Sequence, residues 1–160
     1  MHRNMTPWRN CRLAVFGIAI SIILYIVICV IPFYSYTYFF QGKTMSFTDV
    51  VMANNQILIP FITIIVCLVL QVIGICFMLF LNKKKVFRIL GSTFAFIAAF
   101  ASLGILLISV CRLWVIPYEF EYFAEQKFEI GYILYILFLL FNGVLGCYTT
   151  AISGKVEEIS

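Results

Sequence analysis

Apolar residues fill four long stretches of the chain, and every Asp, Glu, Lys and Arg lies outside them. The stretches cover residues 13–34, 57–81, 89–111 and 130–152. A helix rises about 1.5 Å per residue, so about 20 apolar residues cross the roughly 30 Å hydrocarbon layer of a bilayer. The pattern therefore predicts an all-α integral membrane protein, a bundle of four transmembrane helices, which we number spans one to four.

Span three separates small from large side chains on two helical faces. Its large side chains are Phe96, Ile97, Phe100, Leu103 and Leu107, and its small residues are Gly91, Ala95, Ala98, Ala99 and Ser102. Lipid is as apolar as either face, so a separation by size favours close helix packing on the small face. Gly143 and Gly146 in span four are three residues apart and are predicted to have the same helix-packing role.

Two amide side chains, Gln71 in span two and Asn142 in span four, fall near the predicted midplane of the membrane. An amide in hydrocarbon is costly unless it is hydrogen-bonded, so each is expected to have a polar partner. Their depths match closely enough for a direct bond between the two side chains. The alternative is that each bonds a backbone carbonyl or a hydroxyl, such as that of Ser21, Thr63 or Ser102.

Composition leaves little chain for anything except the membrane domain. The chain has 160 residues, of which 64% are apolar and 11% charged, whereas about a quarter of the residues in a soluble domain are charged. We therefore expect one four-span domain over residues 1–160. A net charge of +4 would hint at nucleic acid in a soluble protein, but membrane topology explains it better here, and no nucleic-acid partner is expected.

The basic residues indicate which side of the membrane each end occupies. Eight of the eleven Lys and Arg lie before span one, between spans two and three, or after span four, and three lie in the other two loops. The positive-inside rule then places both termini in the cytoplasm, with two loops outside, in a plasma or cytoplasmic membrane. A signal peptide would need a shorter apolar core and a small-residue cleavage site, so span one is interpreted as retained.

Both outer loops are rich in aromatic residues. The simpler and favoured interpretation is an aromatic belt at the membrane interface. The alternative is a contact surface for a partner, because Tyr and Phe make strong contact anchors. The candidate surface comprises Tyr34, Tyr36, Tyr38, Phe39, Phe40, Tyr118, Phe120, Tyr122 and Phe123.

The sequence offers little for catalysis or coupled transport. Coupled carriers usually need an ionisable group within the membrane, and the four stretches contain no Asp, Glu, Lys, Arg or His. One histidine and no Cys-x-x-Cys motif give no candidate metal or redox site, so neither a cofactor nor enzyme activity is expected. The six cysteines are interpreted mainly as packing residues. Acylation of Cys11 and a disulfide between Cys29 and Cys111 are the alternatives.

From Lys85 onward the chain resembles the claudin and PMP22-like tetraspan superfamily. The resemblance rests on a small-residue third helix, an exit through Arg112-Leu-Trp114, and a fourth helix that opens with Glu129, Gly131 and Tyr135. It implies a four-helix bundle that tends to associate laterally with other proteins in the membrane. The first outer loop is about half as long as a claudin loop and lacks its Trp and Cys residues, so barrier and pore-lining roles are not implied.

These observations favour a non-enzymatic membrane protein that associates laterally with other membrane proteins or with itself. Its small helix faces and aromatic loops would be the contact surfaces. One alternative is a small oligomeric channel or transport subunit. Another is an immunity or membrane-stress protein of a bacterial membrane.

Overall fold

The computed structural model describes residues 7–38, 41–53, 55–80, 85–110 and 125–157, and it shows five helices and three strands in these ranges. In chain order they are α1 (Pro7–Val30), β1 (Pro32–Tyr38), β2 (Gln41–Ser46), α2 (Phe47–Ala53), α3 (Asn55–Phe80), α4 (Lys85–Val110), β3 (Glu125–Phe128) and α5 (Ile130–Glu157).

Four of these helices contain segments long and apolar enough to cross a membrane. The segments are Arg12–Val30, Leu58–Leu79, Lys85–Val110 and Ile130–Ile152. A helix pairs its own backbone N–H and C=O groups, which hydrocarbon cannot do for them. The prediction of four spanning helices is therefore confirmed, and the chain is a multi-pass integral membrane protein.

Four helix limits differ by four or more residues from those expected from hydropathy. Two of them are the start of α1 at Pro7 rather than residue 13 and the end of α5 at Glu157 rather than residue 152. The first helix ends at Val30 rather than residue 34, because the chain passes into a strand that begins at Pro32. The third long helix begins at Lys85 rather than residue 89. Hydropathy marks the part of a helix that suits hydrocarbon, whereas the helix itself continues into the polar boundary.

The four long helices form a ring in chain order. α4 packs mainly against α3 and α5, and α1 packs against α5 and α3. α3 and α5 lie diagonally and meet over a short length. Neighbours around this ring are antiparallel: Gly143 of α5 lies beside Leu103 of α4, and Gly146 lies beside the earlier residue Ala99.

A small antiparallel sheet caps one end of this bundle, so the all-α prediction is wrong in this respect. The strand order is β2-β1-β3, and β1 is central. Ser35 is opposite both Thr44 of β2 and Lys127 of β3, while Tyr34 is opposite Phe128. Along β1 aromatic and hydroxyl side chains alternate with a period of two, which suits a strand with one packed and one polar face.

The hydrophobic core has two parts. At the sheet end, Phe33, Phe47 and Val50 pack with helix residues that include Ile64 and Phe138. Toward the opposite end, a smaller cluster comprises Ala14, Ile18, Ile75, Met78 and Leu145. The sheet therefore shares the larger core with the helices.

The short helix α2 begins with a capping box that fixes the exit from β2. The Asp49 Oδ2 atom accepts hydrogen bonds from the Ser46 backbone N at 2.9 Å and from Ser46 Oγ at 2.7 Å. The Asp49 backbone N donates in return to Ser46 Oγ at 3.3 Å. The bonds from Ser46, first from its side chain and then from its backbone, hold the pKa of Asp49 below its usual value.

Candidate functional site

Aromatic side chains at the start of β1, where its pairing with β2 is irregular, hold the sheet against the helices. Phe33 is 1% exposed, and its ring lies 4.9 Å from that of Phe47 and 5.7 Å from that of Tyr135. Tyr34 is also 1% exposed, with its ring 5.8 Å from that of Phe128. Buried aromatic pairs of this kind add to the free energy of area burial, so the sheet is held as part of the bundle.

This burial corrects the predicted aromatic contact surface. Tyr34 was one candidate for the alternative of a partner-contact surface, but it lies in the core and cannot face a partner. Tyr36 is half-buried, and the side chain of Tyr38 falls outside the described residues. The other candidates also lie outside the described residues, namely Phe39, Phe40, Tyr118, Phe120, Tyr122 and Phe123.

The polar recess is a shallow pocket of about 260 Å³ at the sheet. It is lined by Ser35, Tyr36, Thr37, Gly42, Lys43, Thr44, Lys127 and Glu129. All three strands and the residue that precedes α5 contribute to it. Hydroxyl groups, two ammonium groups and one carboxylate therefore meet on one surface.

Two contacts hold the polar recess against the start of α5. Ser35 Oγ donates a hydrogen bond of 2.7 Å to Glu129 Oε1. The Glu129 backbone N donates to the Phe33 carbonyl oxygen at 3.1 Å. Lys127 Nζ lies 4.0 Å from the same Glu129 oxygen, but the Lys127 side chain is 77% exposed, so this ion pair adds little to stability.

Sequence reasoning did not identify Ser35, Lys127 and Glu129 as a site. The signal that was present is the alternation of Tyr34, Ser35 and Tyr36, which has the period of a strand with two unlike faces. That signal predicts a polar face on β1. It does not indicate that β3, about 90 residues later, completes that face.

The structure brings the two amide side chains together, although not through a direct side-chain bond. Gln71 Nε2 donates to the backbone carbonyl oxygen of Asn142 at 3.1 Å. Asn142 Nδ2 donates to the carbonyl oxygen of Phe138, one turn earlier, at 3.0 Å. The depth match is present, and backbone carbonyls are the partners, which was the alternative expectation.

The small residues of α4 and α5 are used inside the bundle. A Cβ on Gly91 would lie 2.7 Å from the Gly74 carbonyl oxygen, and one on Gly146 would lie 2.6 Å from Ala99 Cβ. A Cβ on Gly143 would lie 2.6 Å from a methyl carbon of Leu103. The remaining small positions on α4 are buried as well, namely Ala95, Ala98 and Ser102. These faces pack against the chain's own helices and are not available for lateral association.

Within the described residues, no group of three or more His, Cys, Asp or Glu side chains is arranged to bind a metal ion. Cys29, Cys67, Cys76 and Cys147 are free thiols. Cys11, as a side chain, and Cys111 lie outside the described residues. The polar recess and the amide pair therefore remain as the candidate sites.

Comparison of the chain with protein-family models found no match, and comparison with curated proteins also found none.

Proposed function

We propose that this chain is a non-enzymatic accessory protein of a membrane, which contacts a partner protein through the polar recess of its sheet. One observation carries the proposal: the sheet buries its aromatic face in the bundle and leaves a recess of about 260 Å³ lined by hydroxyl and charged side chains. A rigid support behind a polar surface lowers the conformational entropy that this surface loses when a partner binds.

The partner would be bound at the sheet because the helices offer it little specificity. The small helix faces are occupied within the chain, and the outward faces carry large apolar side chains such as Phe96, Phe100 and Leu107. Lipid acyl chains suit these side chains as well as a protein would. The recess instead presents Lys43, Lys127 and the partly exposed Glu129, which fit a polar surface with acidic and hydrogen-bonding groups.

In this proposal the sheet lies outside the cell and both termini lie in the cytoplasm. The reason is that eight of the eleven Lys and Arg lie in the two terminal segments or in the loop between spans two and three, which share one side of the membrane. In a background without native cysteines, we expect Thr44→Cys to react in intact cells with a thiol reagent that cannot cross the membrane. The exposed position Lys85 at the start of α4 should be protected as Lys85→Cys until the cells are opened. Labelling of Lys85→Cys alone in intact cells would invert the orientation.

The proposed contact can be tested by charge reversal at the recess. We expect the tagged full chain, purified from its own membrane in mild detergent, to retain a second protein in a fixed ratio. The double variant Lys43→Glu with Lys127→Glu should lose at least roughly 90% of it, since like charges facing each other across an interface cost several kcal/mol. Mass spectrometry and quantitative gels measure the ratio.

The matched control is the double variant Lys85→Glu with Arg88→Glu, which makes the same change of charge at the start of α4, at the opposite end of the bundle. It should leave the ratio unchanged. A partner that the double variant still retains contradicts binding at the recess. A pure homo-oligomer that conducts ions in liposomes contradicts the accessory function and favours the channel alternative.

We also propose that the chain is a distant relative of the claudin and PMP22-like tetraspan superfamily. Three of the residues on which this resemblance rests, Glu129, Gly131 and Tyr135, contact β1 in this chain.

A further inference from the structure

Four polar atoms of the spanning helices are buried without a hydrogen-bond partner in the described part of the chain. One is Tyr25 Oη on α1. The other three are Ser21 Oγ on α1, Gln71 Oε1 on α3 and Asn142 Oδ1 on α5. The three side chains are 0%, 2% and 2% exposed. Buried polar groups in proteins nearly always have a partner, which is often an ordered water molecule.

The helix register brings Ser21 to the level of the amide pair. α1 and α5 are antiparallel. Gly17 of α1 contacts Leu145 of α5, and Pro32, just after α1, contacts Gly131 at the start of α5. Residues that follow Gly17 in α1 therefore lie opposite residues that precede Leu145 in α5, one for one. Ser21 lies about 6 Å from Gly17, which places it opposite residues 141 and 142. Gln71 reaches the same level through its bond to the Asn142 carbonyl.

We propose that one water molecule occupies this level of the bundle and joins α1, α3 and α5. Its two hydrogens bond Gln71 Oε1 and Asn142 Oδ1, and its oxygen accepts the hydroxyl hydrogen of Ser21. This satisfies all three atoms, because the two amide oxygens are acceptors and the serine hydroxyl is a donor. The site lies between the two hydrophobic clusters.

A small cation is a poorer match for the same oxygens. A cation in hydrocarbon needs a counter-charge or many oxygen ligands, and the described part of the four spanning segments carries no Asp or Glu side chain. Water needs neither. Both amide NH₂ groups already donate to backbone carbonyls, so turning either amide would place its oxygen against a carbonyl oxygen, and two acceptors cannot bond each other.

The test is a double-mutant cycle between Ser21 and Asn142 on the purified full chain, with unfolding followed by SDS titration. Ser21→Ala should lower the ratio of folded to unfolded protein roughly fivefold, the typical effect of one hydrogen bond. In the Asn142→Leu background, which breaks the water bridge, the same change should lower it less than roughly twofold. Equal effects in both backgrounds would overturn the proposal.

The matched control is Ser109→Ala. Ser109 is a buried serine of α4 whose hydroxyl lies 3.2 Å from Tyr135 Oη, away from Asn142, so its effect should be the same in both backgrounds. A structure at high resolution should show one density peak within hydrogen-bond distance of all three atoms. A direct bond from Ser21 to either amide, or a melting temperature that rises when sodium replaces choline as the cation, would also overturn the proposal.

Discussion

Gly91→Ala should destabilise the bundle by about 1–3 kcal/mol relative to a matched glycine on the same helix, the usual cost of overpacking a core. The added Cβ would meet the Gly74 carbonyl oxygen at 2.7 Å. That oxygen belongs to the backbone of α3, so no side chain can turn away, and the helices must move apart. Measuring the free energy of unfolding by SDS titration of the purified protein checks this value.

The matched glycine is Gly104, also in α4, where an added Cβ meets nothing within 4 Å. Both substitutions gain the same helix propensity, up to about 1 kcal/mol, so the difference between them reports the contact alone. Gly104→Ala should be neutral or stabilising. Equal unfolding free energies for the two variants would show that α3 and α4 are not in close contact at Gly91.

Gly131→Ala should loosen the sheet from the bundle while the four long helices remain folded. An added Cβ would lie 2.5 Å from the Pro32 carbonyl oxygen and 3.1 Å from Phe33 Cα. Both are backbone atoms of β1, so the strand must shift away from α5. A cost of about 1–3 kcal/mol corresponds to local opening at least roughly fivefold more often.

The measurement is the labelling rate of Met45→Cys, a position on β2 that is 8% exposed, in a background without native cysteines. We expect slow labelling in the parent and at least roughly fivefold faster labelling with Gly131→Ala. Gly42→Ala is the control within the sheet, since an added Cβ there meets nothing within 4 Å. An unchanged rate with Gly131→Ala would mean that the sheet is not anchored at this point.

The membrane-spanning helices could be predicted because each forms its backbone hydrogen bonds within its own segment. About 20 consecutive apolar residues suffice to indicate a membrane-spanning segment, and periodicity then shows which face of span three carries small residues. All the predicted small positions of α4 are indeed buried, with Ile105 and Ser109 extending the same face. The sequence alone does not say whether such a face meets another helix of the chain or another protein.

The sheet could not be predicted in the same way because its pairing is not local. Tyr34, Ser35 and Tyr36 carry a strand pattern, but a dense aromatic run at the end of a spanning segment equally suits an interfacial belt. The position of Ser35 beside Lys127 and Glu129 depends on a pairing across about 90 residues. Periodicity within one segment contains no information about such a partner.

For Gln71 and Asn142, the sequence predicts their depth in the membrane but not their hydrogen-bond partners. Counting residues from the start of each span placed Gln71 and Asn142 at one depth, which the bond between them agrees with. The choice between a side-chain and a backbone partner depends on how the two helices are rotated about their axes. Residue counting measures depth and leaves that rotation open.

The central position of β1 also has a consequence for synthesis. Its partner β2 follows immediately, whereas β3 leaves the ribosome about 90 residues later, after α3 and α4. At about 5–20 residues per second, one edge of β1 waits roughly 5–20 s for its native neighbour. During this interval the nascent chain presents unpaired N–H and C=O groups to which a strand of another chain can add. The period of greatest risk of mispairing at this edge therefore ends only when β3 has been synthesised.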